Sequence, residues 1–173
     1  TVHPGTKAGD FLTTVGDRCF ILAYAHVAHD CRIGNNVVLS NTVMLAGHCH
    51  IGDYAILGGG VGIHQFVRVG HHAFIGGMSA IEKDVIPYGM AVGNRAVLAG
   101  LNVIGLRRRG FSRDSIHELR RAYRLLFAHE GTLKERMDDV EAMHPDHVTV
   151  REILGFIRAG GDRSVLTPRE VGP

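Results

Sequence analysis

No apolar run in this sequence approaches the ~18 residues of a membrane span, and no basic stretch leading into an apolar one marks the residues after Thr1 for export. A cytoplasmic protein with no transmembrane segment is therefore expected. Charge of one sign is also lacking: the formal net charge is +2, too small to argue for a nucleic-acid partner across the whole molecule. Tryptophan is absent and proline is scarce, with 5 prolines against 23 glycines. Such a glycine load, without a collagen period, implies a backbone that turns tightly and often. The three cysteines, Cys19, Cys31 and Cys49, match neither a zinc ribbon nor a redox pair in spacing. They read as small buried apolar side chains rather than metal ligands or disulfide partners. What remains is 173 residues, 45% of them apolar, enough for one ordinary domain or for a repeat array with a small appendage.

Both cysteine spacings are multiples of six, and so is the spacing of the aliphatic residues. They recur at Val15, Ile21, Val27, Ile33, Leu39, Leu45, Ile51, Leu57, Ile63, Val69, Ile75 and Ile81, which makes twelve unbroken hexads. The fifth position of each hexad is small or apolar, from Cys19 and Ala25 to Ser79 and Val85. A period of six fits neither a helix nor an ordinary strand. It fits a parallel β-helix, in which each hexad supplies a short strand and a turn, and three hexads close one triangular coil. Twelve hexads give four coils, and residues 18 apart should stack about 4.8 Å from one another. The expected class is mainly β, a parallel β-helix over residues 1–98 with a surface loop near 4–14 that falls out of register. An edge coil beginning at Val15 would leave backbone edges uncovered, so further coils are expected to precede it.

After Pro87 the pattern loosens through Val92, Gly93 and Leu98 and then turns helical. Ser112 is placed to cap a helix whose apolar face is Ile116, Leu119, Tyr123, Leu126 and Phe127, ended by Gly131. Thr132 with Glu135, and Thr149 with Glu152, have the spacing of capping boxes opening two shorter helices. Residues 99–173 thus read as a C-terminal helical subdomain, with a tail from about Asp162 that lacks periodicity and is expected to be disordered.

Twelve histidines are many for this length, and stacking by 18 sorts them. His29 falls above Gly47 and Gln65, Asp30 above His48 and Phe66, and Ala28 above Ala46 and His64. His29, Asp30, Gly47, His48, His64 and Gln65 therefore meet on one edge of three successive coils, with His26 just before them along the chain. A metal site and a solvated edge without function are both open readings of such a cluster. A third is general base catalysis: an imidazole takes a proton near neutral pH while a glycine one coil away lets a carbonyl approach its backbone N–H.

The runs Ala25-His26-Val27-Ala28-His29-Asp30-Cys31, Leu45-Ala46-Gly47-His48, Ile63-His64-Gln65-Phe66 and Gly105-Leu106-Arg107-Arg108-Arg109-Gly110-Phe111-Ser112-Arg113 resemble the acyl-carrier-protein-dependent UDP-N-acetylglucosamine O-acyltransferases of the hexapeptide-repeat transferases. The motifs fall in that family's order and cover almost the whole chain. The resemblance implies a left hand for the β-helix, His29 as general base and Gly47 as oxyanion donor. It further implies substrate contacts from His26, His48, His64, Gln65, Asn102, Arg108 and Arg109, and a role for Gly77 in limiting acyl length. Asp30 then either orients His29 or is only a turn residue. No metal and no cofactor are implied, the acyl chain on the carrier protein being the co-substrate, and the expected assembly is a homotrimer. Ile104, where the family often carries an acidic residue, and Tyr24, in place of a smaller polar one, leave a 3-amino sugar acceptor open beside the 3-hydroxyl.

Arg107, Arg108, Arg109, Arg113, Arg120, Arg121 and Arg124 concentrate positive charge near this edge. No aromatic stacking platform accompanies them, which argues against nucleic acid. A solvated helix face is one reading, and an acidic carrier protein and a UDP pyrophosphate are the more economical partners. Because a fold does not specify chemistry, an acetyl-CoA-dependent transferase and a non-catalytic trimeric scaffold stay open.

Overall fold

A computed structural model of the chain describes residues 1–169. Each hexad forms a strand of two residues. The first coil holds β1 (Thr14–Val15), β2 (Phe20–Ile21) and β3 (His26–Val27), and the second β4 (Arg32–Ile33), β5 (Val38–Leu39) and β6 (Met44–Leu45). The third holds β7 (His50–Ile51), β8 (Ile56–Leu57) and β9 (Gly62–Ile63), and the fourth β10 (Arg68–Val69), β11 (Phe74–Ile75) and β12 (Ala80–Ile81). Strands stack in parallel on the strand of the next coil, Arg32 on His50, Val38 on Ile56 and Met44 on Gly62. Three parallel faces result, β1-β4-β7-β10, β2-β5-β8-β11 and β3-β6-β9-β12. The parallel β-helix read from the period of six is the architecture observed.

The column of aliphatic residues fills the prism. Leu39, Leu45, Leu57 and Ile75 are fully buried, each worth roughly 1.5–3 kcal/mol relative to exposure. Val15 and Ile21, which also point inward, are 39% exposed, because no strand among the described residues covers them from the other side.

The glycines do not make the turns, contrary to what their number suggests. Each corner is made by a residue in the left-handed region, Arg18, Tyr24, Asp30, Asn36, Thr42, His48 and Tyr54 among them, and Gly60 is the one glycine in that series. Left-handed backbone costs about 1–2 kcal/mol for a residue with a side chain. From Asn36 onward it is offset by a ladder bond to the corner of the preceding coil, such as His48 N–H to His29 O at 3.0 Å and Tyr54 N–H to Asn35 O at 2.9 Å. The glycines lie instead where coils press together: a Cβ on Gly70 would sit 2.3 Å from Pro87 N.

The first coil departs from register. Val2 pairs with Val27, 25 positions on instead of 18, so the loop between them carries seven additional residues. It folds back over the corner at Asp30, and Arg32 pairs with Asp10.

Beyond the coils, β13 (Gly89–Val92) continues the sheet of β11 and turns back antiparallel into β14 (Val97–Leu101). This hairpin occupies the stretch in which the hexad pattern loosens. Four helices follow among the described residues: α1 (Val103–Arg108), α2 (Arg113–Leu126), α3 (Leu133–Met143) and α4 (Val148–Arg158). Ser112 caps α2, and Thr132 with Glu135 forms a full capping box on α3. The second expected box is not formed. Helix α4 begins after His147, Thr149 lies inside it with its hydroxyl on His147 Nδ1, and Glu152 accepts from the Tyr88 hydroxyl, joining the helix to the coils.

The tail is also not as expected. Asp84 N–H donates to Ser164 O and Leu166 N–H to Asp84 O, both at 2.8 Å, and Leu98 N–H donates to Thr167 O at 2.9 Å. Leu166 is buried. A segment without periodicity is ordered here by pairing with an existing edge, which hydropathy does not report. The expectation of disorder for residues 170–173 lies outside the described residues. No helix among the described residues is long and apolar enough to cross a membrane.

Candidate functional site

Three corners, after β3, β6 and β9, stack His29-Asp30, Gly47-His48 and Gln65-Phe66 in one edge, joined by His48 N–H to His29 O at 3.0 Å and Phe66 N–H to Gly47 O at 3.1 Å. Asp30 is buried. Its carboxylate accepts from Thr6 N–H at 2.9 Å, from the Thr6 hydroxyl at 2.7 Å and from His29 Nδ1 at 2.9 Å, while its own N–H donates to the Thr13 hydroxyl at 2.8 Å. The Thr6 hydroxyl above all, together with the Thr6 N–H and His29, holds the Asp30 carboxyl down to about 2 against the pull of burial. An acceptor-only carboxylate places the shared proton on His29 Nδ1, so that in the neutral ring Nε2 carries the lone pair. The His29 side chain is 42% exposed, open to a substrate. This is the geometry of an oriented general base.

Gly47 stands directly against that ring. A Cβ on Gly47 would lie 2.5 Å from His29 Cε1 and 2.7 Å from Nε2, so any side chain would push the imidazole away. The Gly47 N–H makes no backbone hydrogen bond among the described residues. His48 packs edge-on to His29 at 5.1 Å and stacks on Phe66 at 4.6 Å, with its Nε2 3.9 Å from Asp30 Oδ2. His29, Asp30 and His48 offer ligand atoms within 4.8 Å of one another. As a metal site the set fits poorly, because both Asp30 oxygens already accept hydrogen bonds from Thr6 and His29.

The other expected site residues distribute over three parts of the prism. His26 and His64 line a groove of about 450 Å³ across the face of β3, β6 and β9, with Met44, Ala46, Gly62 and Glu82. His26 bonds the Thr1 hydroxyl at 2.7 Å, and burial and then His3 keep its pKa below the ordinary imidazole value. Gln65 sits beside His64, and Arg163 donates to the Gln65 carbonyl at 3.2 Å. Gly77 belongs to a different corner, where its Cβ would meet Gly59 O at 3.2 Å.

Asn102, Arg108 and Arg109 line a second groove, of about 620 Å³, against Ile56, Phe74, Met90 and Leu101, on the face of β8, β11 and β13. Within one chain this groove is not part of the His29 edge. The Asn102 amide is taken up structurally, capping α1 at Gly105 N–H (3.1 Å) and donating to His72 O (3.0 Å). Arg109 donates to Tyr54 O at 2.9 Å with its guanidinium 5.4 Å from the Tyr54 ring. Arg107, Arg113, Arg120, Arg121 and Arg124 are exposed.

Sequence reasoning missed Thr6, Thr13 and Arg163, and it gave Phe66 a place but no role. Phe66 shares the column of Asp30 and His48 and was within reach of the period. Thr6 and Thr13 lie in or beside the loop that breaks register, so no spacing rule places them against Asp30.

Residues 84–166 match the family model described as "Udp N-acetylglucosamine O-acyltransferase; Domain 2", and residues 12–47 match that of the bacterial transferase hexapeptide. The chain is 64% identical over 171 residues to an acyl-[acyl-carrier-protein]–UDP-N-acetylglucosamine O-acyltransferase of Methylobacterium radiotolerans, covering 99% of this chain and 63% of the relative. It is 58% identical to the enzyme of that name in Caulobacter vibrioides, covering 99% and 65%. The crystal structure of a UDP-N-acetylglucosamine O-acyltransferase from Moraxella catarrhalis is similar with a TM-score of 0.91 at 38% identity, over 95% of this chain and 64% of that one. That of the Francisella novicida UDP-N-acetylglucosamine acyltransferase has a TM-score of 0.92 at 36% identity, over 98% and 62%. The chain thus spans a little under two thirds of the length of these relatives.

Proposed function

The chain belongs to the UDP-N-acetylglucosamine O-acyltransferase family, and on that premise we propose that it transfers a 3-hydroxyacyl chain from acyl carrier protein to the 3-hydroxyl of UDP-N-acetylglucosamine, the first step of lipid A biosynthesis. The observation that carries this reading is the Asp30–His29 contact beside Gly47: Nδ1 held at 2.9 Å by the carboxylate, Nε2 free, and a glycine backbone at the ring.

In the proposed reaction His29 Nε2 removes the proton of the sugar hydroxyl as its oxygen attacks the thioester carbonyl. The negative charge that gathers on the carbonyl oxygen is met by the Gly47 N–H. Collapse breaks the carbon–sulfur bond, and the proton now on Nε2 passes to the departing carrier-protein thiolate. Asp30 stays ionised throughout and stabilises the transient imidazolium, as a buried carboxylate does in a hydrolase triad. The chemistry calls for neither metal nor cofactor. Positioning and a single charge-stabilising donor supply it.

His26, His48, His64, Gln65 and Gly77 are proposed to contact the sugar and acyl groups along the adjoining groove, with Asn102, Arg108 and Arg109 serving a neighbouring subunit's site in a homotrimer. The exposed arginines from Arg107 to Arg124 suit an acidic carrier protein and a pyrophosphate. The proposed setting is the cytoplasm.

The test is transfer from a 3-hydroxyacyl carrier protein to UDP-N-acetylglucosamine and to its 3-amino analogue, with His29→Ala in parallel. Product from the wild type and a loss of about 10²–10⁴-fold in the variant support the reading. A His29→Ala protein with most of its turnover overturns the base assignment, and preference for the amino sugar makes the product an amide.

A further inference from the structure

The segment that follows α4 returns to the coils and is tied to Asp84 and Leu98 by three backbone hydrogen bonds. Just before that seam, Arg163 reaches the corner after β9. Its Nη2 lies 2.8 Å from His64 Nδ1, and its Nε donates to the Gln65 carbonyl at 3.2 Å. His64 Nδ1 also lies 3.3 Å from that same Gln65 carbonyl. Two partners therefore compete for one ring nitrogen, and they demand opposite things of it. A guanidinium has only donors, so next to Arg163 the Nδ1 must accept; a carbonyl has only acceptors, so next to Gln65 O it must donate. The shorter contact is the one to Arg163, and the guanidinium occupies the carbonyl at the same time through Nε.

We infer that Arg163 is a positioning residue that fixes the tautomer of His64, holding the neutral ring with its proton on Nε2. His64 lines the groove over β6 and β9. In this form its free ring nitrogen is a hydrogen-bond donor, which selects an acceptor oxygen such as a carbonyl or hydroxyl of the bound ligand. Without Arg163 the nearest partner of Nδ1 is the Gln65 carbonyl, the proton moves to Nδ1, and Nε2 becomes an acceptor that repels the same oxygen. The tail and helical subdomain would then act on the groove through one side chain. The link to catalysis rests on the acyltransferase reading above; the tautomer does not.

The experiment is nitrogen-15 NMR of the histidine-labelled chain at a pH about two units above the ordinary imidazole value, with the His64 signals assigned by their loss in His64→Gln. The wild type is expected to show an unprotonated Nδ1 and a protonated Nε2, Arg163→Met the reverse, and Arg163→Lys the wild-type pattern, since an ammonium is also donor-only. A wild-type His64 protonated on Nδ1, or an unchanged tautomer in Arg163→Met, overturns the inference. In the transfer assay Arg163→Met is expected to raise KM about tenfold, the cost of losing one directed hydrogen bond, with Arg163→Lys much closer to wild type. An inverted tautomer in a chain that shows no transfer in any form sinks the acyltransferase reading and leaves the positioning role standing. Undiminished transfer with an unchanged tautomer does the opposite.

Discussion

Thr6 holds Asp30 across 24 positions of sequence, its N–H on Oδ1 at 2.9 Å and its hydroxyl on Oδ2 at 2.7 Å. The loop that breaks the hexad register is therefore what orders the carboxylate behind the candidate base. Corner residues on the other edges, such as Asn36, are held by the coil ladder. Asp30 shares their left-handed backbone, but its N–H goes to the Thr13 hydroxyl and its carboxylate is held by donors from outside the ladder.

Replacing Thr6 with valine removes the hydroxyl and keeps the backbone N–H. The Asp30 pKa should rise from about 2 toward the ordinary carboxylate value, and the His29 ring should lose part of its fixed orientation. Transfer is expected to fall about tenfold with little change in secondary structure. The wild type also carries an acid signature. Because the folded pKa of Asp30 is depressed, its contribution is fully present above the unfolded value near 3.8 and is lost as pH falls toward about 2. Urea melts between pH 5 and pH 2.5 should show a steeper loss in the wild type than in Asp30→Asn.

Gly47→Ala tests the contact between the glycine and the base. A Cβ placed 2.5 Å from His29 Cε1 forces the imidazole out of line with Asp30 and narrows the approach to the Gly47 N–H. A loss of about 10²-fold or more in kcat is expected, the scale of a displaced base or a lost oxyanion donor. Stability should change far less, since the His29 ring can yield toward solvent. An alanine variant of wild-type kcat would remove Gly47 from the proposed mechanism.

How much of this was legible in advance follows from what kind of rule each residue obeys. The aliphatic column from Val27 to Ile81 and the stacking of His29 on Gly47 are consequences of a strict period, so counting by six and eighteen reached them. The hairpin Gly89–Leu101 and the pairing of Ser164 with Asp84 depend on an open sheet edge, which exists only once the coils are assembled. Thr149 shows the limit of local motifs: with Glu152 it has the spacing of a capping box, yet Glu152 is drawn to Tyr88, just beyond the fourth coil, and the helix is capped two residues earlier, at His147. Asn102, Arg108 and Arg109 were named by resemblance, and no count along the chain could have shown that they face a different groove.

Asp84 gives a stability prediction on firmer ground than any exposed pair. It is fully buried, accepts from Arg68 N–H at 2.8 Å and from the Arg68 guanidinium at 2.7 Å, and its backbone carries the tail. Removing one member of such a pair leaves the other uncompensated, at a cost of about 3–5 kcal/mol. Asp84→Ala should therefore unfold at markedly lower denaturant, whereas Asp138→Ala, at an exposed contact with Arg158, should stay within about 0.5 kcal/mol of wild type.

His72 makes the converse case, a buried polar group whose removal should help. It stacks between Tyr54 at 4.8 Å and Tyr88 at 5.6 Å, and its Nδ1 is buried without a hydrogen-bond partner. Burial, with Arg109 and His71 nearby, pushes its pKa down to about 4. A depressed folded value means that the unfolded chain binds the proton first, so holding the ring uncharged costs the fold nothing above the ordinary imidazole value near 6.5 and an increasing amount as pH falls toward about 4. Phenylalanine keeps the aromatic stack and tolerates the left-handed corner, as Phe66 does at φ 66°. His72→Phe should gain about 1 kcal/mol at pH 8 by removing the unsatisfied nitrogen, and more at pH 5, where the wild type must also keep its imidazole uncharged. Thermal melts at the two pH values decide it: an equal gain at both would mean that protonation of His72 is not what the fold resists, and a loss at both would mean that the nitrogen is satisfied after all.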